Sequence, residues 1–332
     1  FDRDDVGARR HRFGNVHTPG VRFHPSCTLR SEQSWRSGAL TAGIPRVLQR
    51  LPGRPAELCA ASVYVRGMPY ERCDGVDLYY EDEGDGRPVV YLPGAMAGLR
   101  FFQHQLSPSA DHRAVALDYR GHGRSATPET GHAVPQYARD LQAFLDRRGL
   151  DDVVLVGWSM GALVAWEYVD RFGTDRVAGL VVVDMSASAF QWADYDHGSI
   201  DLAGLQERLE LVQTDPADFT ERLSDAAFTG SVSPATRRLA RDELSRPPPP
   251  VKSAILADYA LRDYRDVLPA VDVPALALAT ADETWRTVAA VEHAASLLPD
   301  ADVETFENSG HCPFIEEPVR FNELVEEFVA SL

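Results

Sequence analysis

The sequence predicts an α/β domain on a doubly wound, mostly parallel sheet, with a helical insertion late in the chain. Short continuous runs of Val, Leu and Ala alternate with amphipathic helical stretches. Continuous apolar runs, rather than alternating ones, mark strands buried on both faces of a parallel sheet. Between about 186 and 268 that rhythm stops, and only polar-rich helical patterns follow one another.

Taken in order, residues 70–82 (YERCDGVDLYYED) read as a hairpin with Asp74-Gly75 at its turn. The apolar runs are 88–92, 113–118, 152–157, 177–183, 274–279 and 302–306. The helices between and after them include 134–148, 160–172, 286–298 and 318–331. Strand–helix alternation of this kind defines the doubly wound class. The insertion contains helical patterns at 201–213, 216–228, 234–245 and 251–265. Four prolines at 247–250 are expected to make a stiff spacer. A lid over the strand ends is the economical reading of 186–268, because function in open parallel sheets gathers at the carboxyl ends of strands. The alternative is a small separate domain.

Composition narrows the function classes. The 332 residues are 44% hydrophobic and 25% charged, and the net charge is −17. Such an acidic chain is a poor partner for nucleic acid or an anionic membrane. No apolar run approaches the roughly 20 residues that cross a bilayer. Cys27, Cys59, Cys73 and Cys312 fall at unrelated spacings without a C-x-x-C. Free, mostly buried thiols in the reducing cytoplasm are expected, with no metal site and no cofactor. Residues 1–67 hold eleven Arg, no Lys and five acidic residues, begin with Phe1 rather than Met, and lack apolar periodicity. They are read as a disordered or non-native basic extension, the alternative being a basic arm that docks on the acidic body or a partner.

Residues 157–161 read Gly-Trp-Ser-Met-Gly. A G-x-S-x-G arises by chance in roughly one chain in ten of this length, so context decides. It follows the run 152–156 and precedes an amphipathic helix, and strand, tight turn and helix are the setting the motif requires. So sharp a turn leaves no room for side chains at Gly157 and Gly161. It would present Ser159 at a helix N-terminus, where developing negative charge is favoured. A serine hydroxyl needs a base. Of the ten histidines, His311 in Ser309-Gly310-His311-Cys312-Pro313 is the best placed, just past the last expected strand on the same rim.

With these pieces in place the sequence resembles the α/β-hydrolase superfamily, nearest the branch of cofactor-free haloperoxidases and esterases. The likeness covers roughly 70–332. It rests on LPGAMAG (92–98), DYRGHGRS (118–125), GWSMG (157–161) and SGHCPFIEEPVRFNELVEEFV (309–329) in the right order. It implies a core of 68–185 and 269–332, a helical lid (186–268) after the sixth strand, and a catalytic Ser, acid and His in that chain order. It also implies an oxyanion hole from the N–H of Met160 and that of Ala95, with Met96 as the alternative donor. Relatives read His-Gly-x where this chain reads Pro93-Gly94-Ala95. The stretch 118–125 is assigned a structural role in fixing its loop.

The acid has three candidates. Relatives carry Gly-x-x-Asp after the strand that reads PALALA, where this chain has Thr280-Ala281-Asp282-Glu283. Asp282 and Glu283 are placed ahead of Asp184, which ends the sixth strand. The expected activity is hydrolysis of a small-molecule ester, lactone or thioester through an acyl-enzyme. Phe190, Trp192 and Tyr195 would supply apolar lining from the lid, and Trp158, beside the nucleophile, would bind substrate with Phe190 and Trp192. The alternative for the lid aromatics is a place in the lid's own core. Rival readings are a cofactor-free perhydrolase or haloperoxidase, a lyase or biosynthetic enzyme, and a non-catalytic binding protein on the same fold. The expected partner is a small-molecule substrate, and the oligomeric state is left open.

Overall fold

The computed structural model describes residues 69–106, 112–230, 232–281 and 285–332. The expectation for 1–67 lies outside them, as do Cys27 and Cys59. The described chain enters its sheet through the antiparallel hairpin of β1 (Tyr70–Cys73) and β2 (Val76–Glu83). Asp74 (φ 43°) and Gly75 (φ 78°) both adopt the left-handed conformation. Two such residues make the tight turn whose twist matches the flanking strands.

Next come β3 (Pro88–Leu92), β4 (Arg113–Leu117), α1 (Val134–Arg148), β5 (Val153–Trp158), α2 (Met160–Phe172) and β6 (Val177–Val183). The eight-stranded sheet has the order β1-β2-β4-β3-β5-β6-β7-β8, where β7 is Ala275–Thr280 and β8 is Ala301–Phe306. Pairing is antiparallel for β1–β2 and β2–β4 and parallel from there on. This is the α/β-hydrolase fold, with helices on both sides of the sheet. Every residue of β5 and β7 is buried, whereas the edge strand β8 is largely exposed. Continuous apolar runs thus mark the interior strands, and DVETF (302–306) reads as an edge.

The register fixes what stands at the rim. Trp158 pairs with Val183, so β5 and β6 end level. The next residues are Ser159 and Asp184, at adjacent strand tips. Ser159 N–H donates to Val183 O (3.0 Å), and Asp184 N–H donates to Leu278 O (2.8 Å).

Between β6 and β7 the chain builds α3 (Leu202–Thr214), α4 (Pro216–Ala226), α5 (Pro234–Ser245) and α6 (Pro249–Ala260). Asp201, Asp215 and Ser233 cap the first three through their side-chain oxygens. The proline run is not a spacer: Pro248 caps α6 and Pro249 and Pro250 form its first turn. Proline suits that position, because its missing N–H has no intrahelical partner there and its φ is already helical.

After β7 the helix expected at 286–298 is shorter, as α7 (Val288–Ser296). Thr287 caps it by accepting the Ala290 N–H (3.1 Å), which leaves Trp285 and Arg286 in the preceding loop. The short α8 (Pro313–Glu316) and α9 (Pro318–Ser331) complete the chain. Cys73 and Cys312 are buried free thiols. No helix among the described residues is long and apolar enough to cross a membrane.

Candidate active site

The turn at Ser159 is strained. Its φ of 53° and ψ of −121° lie where side-chain-bearing residues rarely go, at a cost of about 1–3 kcal/mol. Two glycines permit it from opposite sides. A Cβ on Gly157 would come within 2.6 Å of Ala162 N and Cα in α2, and one on Gly161 would overlap Leu92 O at the end of β3. Gly94 closes in from the β3 side, where a Cβ would sit 3.3 Å from Ser159 Cβ.

His311 lies on the loop after β8, and Asp184 Oδ2 is 2.6 Å from its Nδ1. Both side chains are buried. Asp184 has a φ of 49°, so both strand-tip residues are held in the left-handed region. The carboxylate on His311 is therefore that of Asp184. Asp282 and Glu283, ranked ahead of it by sequence, lie outside the described residues. The competing positions share no local signature, and the level ends of β5 and β6 are what set Asp184 beside the Ser159 turn.

The loop carrying His311 is anchored by the neighbour of the serine. Trp158 Nε1 donates to His311 O (2.7 Å). Trp285 stacks on the imidazole, with ring centroids 4.6 Å apart and planes at 30°. With Nδ1 committed to Asp184, His311 Nε2 is buried without a hydrogen-bond partner, and no hydrogen bond to Ser159 Oγ is made. Ser159 and His311 nevertheless line one cavity of about 370 Å³, within the size range of small-molecule sites.

Ala95 and Met96 line that cavity beside Gly94. The Met96 N–H, the alternative donor in the sequence reading, is already given to His122 Nε2 (3.1 Å). The N–H of Ala95 has no acceptor among the described residues. Met160 opens α2, where the helix supplies its N–H with no acceptor. His122 belongs to the stretch 118–125, whose expected role is to fix its loop. Nε2 accepts, so Nδ1 carries the proton and donates to Arg120 O (3.1 Å). Burial pushes His122 down to about 4, so the ring is neutral and holds Met96 at its left-handed φ of 66°. Its neighbour Asp118 accepts the N–H groups of Leu99 (2.6 Å) and Arg124 (2.8 Å), and burial pushes its carboxyl up to about 6. The stretch 118–125 thus ties the loop after β3 to the loop after β4.

The remaining walls come from α3–α6 and the segments beside them, including Ile200, Leu211, Phe219, Leu244 and Leu256. Trp158 lines the cavity, but Phe190 and Trp192 do not. Bridges Phe190↔Ile200 and Trp192↔Tyr195 fold that segment back on itself. The two rings pack together at 4.9 Å, and Trp192 Nε1 donates to Ser188 Oγ (2.9 Å). Aromatic composition marked a local knot rather than the wall. Trp285 and Arg286, which sequence periodicity assigned to or beside a helix, do line the cavity. Their only advance signal is their place just past a strand tip. Among the described residues no group of three or more His, Cys, Asp or Glu could hold a metal ion.

Comparison with known proteins agrees with this architecture. Residues 89–324 match the model of the alpha/beta hydrolase family, and the chain belongs to that family. It is 28% identical over 255 residues to a non-heme haloperoxidase of Rhodococcus erythropolis, covering 74% of this chain and 93% of that protein. Among solved structures it is similar to a bromoperoxidase from Bacillus anthracis. The TM-score is 0.74 at 25% identity, over 77% of this chain and 96% of that one. It is also similar to the esterase RhEst1 from Rhodococcus sp. ECU1013, with a TM-score of 0.67 at 27% identity over 79% and 98% of the two chains.

Proposed function

We propose that the protein is a serine hydrolase cleaving small carboxylic esters, lactones or thioesters, with Ser159, His311 and Asp184 as nucleophile, base and acid. The observation that carries this reading is the Asp184–His311 hydrogen bond of 2.6 Å, made by a histidine that lines one cavity with Ser159. Asp184 keeps the proton on Nδ1, so Nε2 presents its lone pair. His311 Nε2 takes the Ser159 proton as Oγ attacks the carbonyl carbon. Catalytic hydrogen bonds that are long in a free enzyme tighten once substrate is bound.

The oxyanion of the tetrahedral intermediate is received by the N–H groups of Ala95 and Met160. Loss of one such donor costs about 100- to 1,000-fold in rate. The intermediate collapses, the bond to the leaving group breaks, and protonated His311 returns its proton to that group. Water, deprotonated by Nε2, attacks the acyl carbon and frees Ser159. The helices α3–α6 act as a lid whose apolar side chains shelter the acyl group from bulk water.

The test is direct. Ser159→Ala abolishes p-nitrophenyl ester turnover and labelling by a fluorophosphonate, and retained labelling refutes the assignment. Similarity to the Rhodococcus haloperoxidase favours a second reading. Hydrogen peroxide in place of water would release a peracid from the same acyl-enzyme, and the peracid would oxidise halide in solution. Peroxide-dependent halogenation that exceeds ester hydrolysis and requires added carboxylic acid would make this the main activity.

A further inference from the structure

We infer that the cavity takes a substrate bearing a carboxylate, and that Arg286 binds it. For the reaction this rests on the hydrolase reading above; for the binding step it stands alone. Arg286 is 4% exposed and lines the cavity with Ser159 and His311. Among the described residues no carboxylate forms an ion pair with it. Its guanidinium donates instead to neutral acceptors. Nη1 is bonded to Ser199 Oγ and to Trp285 O (2.6 Å), Nη2 reaches only the Met185 thioether (3.5 Å), and Nε has no partner.

A buried cation without a counter-anion is costly, and such groups are ordinarily paired. Burial accordingly pulls the Arg286 pKa below its usual value, while Tyr259 and Asp184 raise it and Arg208 lowers it further. Asp184 cannot serve as the missing partner by direct contact, because its Oδ2 is bound to His311 and Oδ1 has no partner.

The rest of the wall points the same way. Among the described residues Arg208 and Arg222 line the cavity, and Glu207 is the one acidic residue that does. Arg222 is paired to Asp218 (2.9 Å), and Arg208 has no ion pair among the described residues. A cationic wall is unexpected in a chain of net charge −17. Arginine presents a planar fork of donors that matches a carboxylate. A dicarboxylic half-ester, or a lactone with a free carboxylate, would place its reactive carbonyl at Ser159 and its anion at Arg286.

The experiment has two arms on the full chain. In the first, kcat/KM is measured for mono-p-nitrophenyl esters of succinate, glutarate and adipate. The neutral p-nitrophenyl esters of butyrate, valerate and hexanoate serve as references. The best anionic ester should exceed its neutral counterpart by on the order of tenfold to a hundredfold, the range of a charge-assisted hydrogen bond. Arg286→Gln should bring that ratio to one or below, and Arg286→Lys should keep part of it. The ratio within one protein cancels any general loss from the substitution.

In the second arm, calorimetry on Ser159→Ala compares glutarate with the neutral glutaramide. Glutarate should bind at least tenfold tighter, and Arg286→Gln should remove the difference. No ester turnover with glutarate selectively bound would sink the hydrolase reading and leave this one standing. Neutral esters turned over, with no anionic preference and no glutarate binding, would overturn the carboxylate site alone. Equal losses on both ester types in Arg286→Gln would also overturn it, because Arg286 would then act through Asp184 and His311.

Discussion

Replacing Asp184 by Asn tests the acid assignment at one atom. The Nδ1···Oδ2 distance of 2.6 Å holds a proton on Nδ1, and both side chains are buried. An amide that turns its NH2 toward Nδ1 forces the imidazole into the other tautomer, with the proton on Nε2. That nitrogen then cannot accept the Ser159 proton. The equivalent tautomer error in a serine protease costs about 10⁴-fold in kcat, or roughly 5 kcal/mol at about 1.4 kcal/mol per decade. The expected result is a kcat on p-nitrophenyl butyrate about 10⁴-fold below wild type, with an unchanged circular dichroism spectrum. Asp282→Asn and Glu283→Gln should each change kcat by less than about tenfold. Asp184 is refuted as the acid if Asp184→Asn stays within tenfold of wild type while either of the other two collapses.

Other perturbations reach the turn and its supports. Ser159→Gly should abolish turnover yet raise stability by about 1 kcal/mol, because glycine relieves the strained φ of 53°; a fall in the denaturant midpoint would contradict the strain argument. Gly161→Ala should cost several kcal/mol or prevent folding, since its Cβ overlaps a main-chain oxygen of β3; soluble protein with wild-type melting would contradict it. His122→Gln should remove a pH-dependent contribution. The folded His122 titrates at about 4, below the ordinary 6.5, so the unfolded chain binds the extra proton between those values and acid weakens the fold. Asp118, raised from 3.8 to about 6, acts in the opposite sense, so the readout is the stability of wild type minus that of the variant. That difference should fall by up to about 3 kcal/mol as pH drops from 6.5 to 4, and a flat difference would refute it.

The turn at Ser159 was legible because its requirements are local. A buried run, two glycines and a helix stand within a dozen residues, and each glycine meets the obstacle that a side chain would strike. His311 was legible from its place after the last strand. The carboxylate that meets His311 was not, because several strand ends carry carboxylates and only the pairing of Trp158 with Val183 sets Asp184 beside the serine. Arg286 was hidden by helical periodicity, and the Thr287 cap that excludes it from α7 acts through one side-chain oxygen. Phe190 and Trp192 misled because an aromatic side chain in a lid segment reads alike whether it faces the cavity or its own neighbours. The prolines at 247–250 misled in the same manner, since a spacer and a helix start both tolerate them.

The proposed mechanism requires that Ser159 become covalently acylated during turnover. It is tested by acid-quenching the wild-type protein within milliseconds of mixing with p-nitrophenyl butyrate and mapping the adduct by peptide mass spectrometry. A butyryl group is expected on the peptide containing Ser159, absent from Ser159→Ala and depleted as turnover completes. Steady ester turnover with no adduct at that serine, or with the acyl group on Cys312 or another residue, would contradict it.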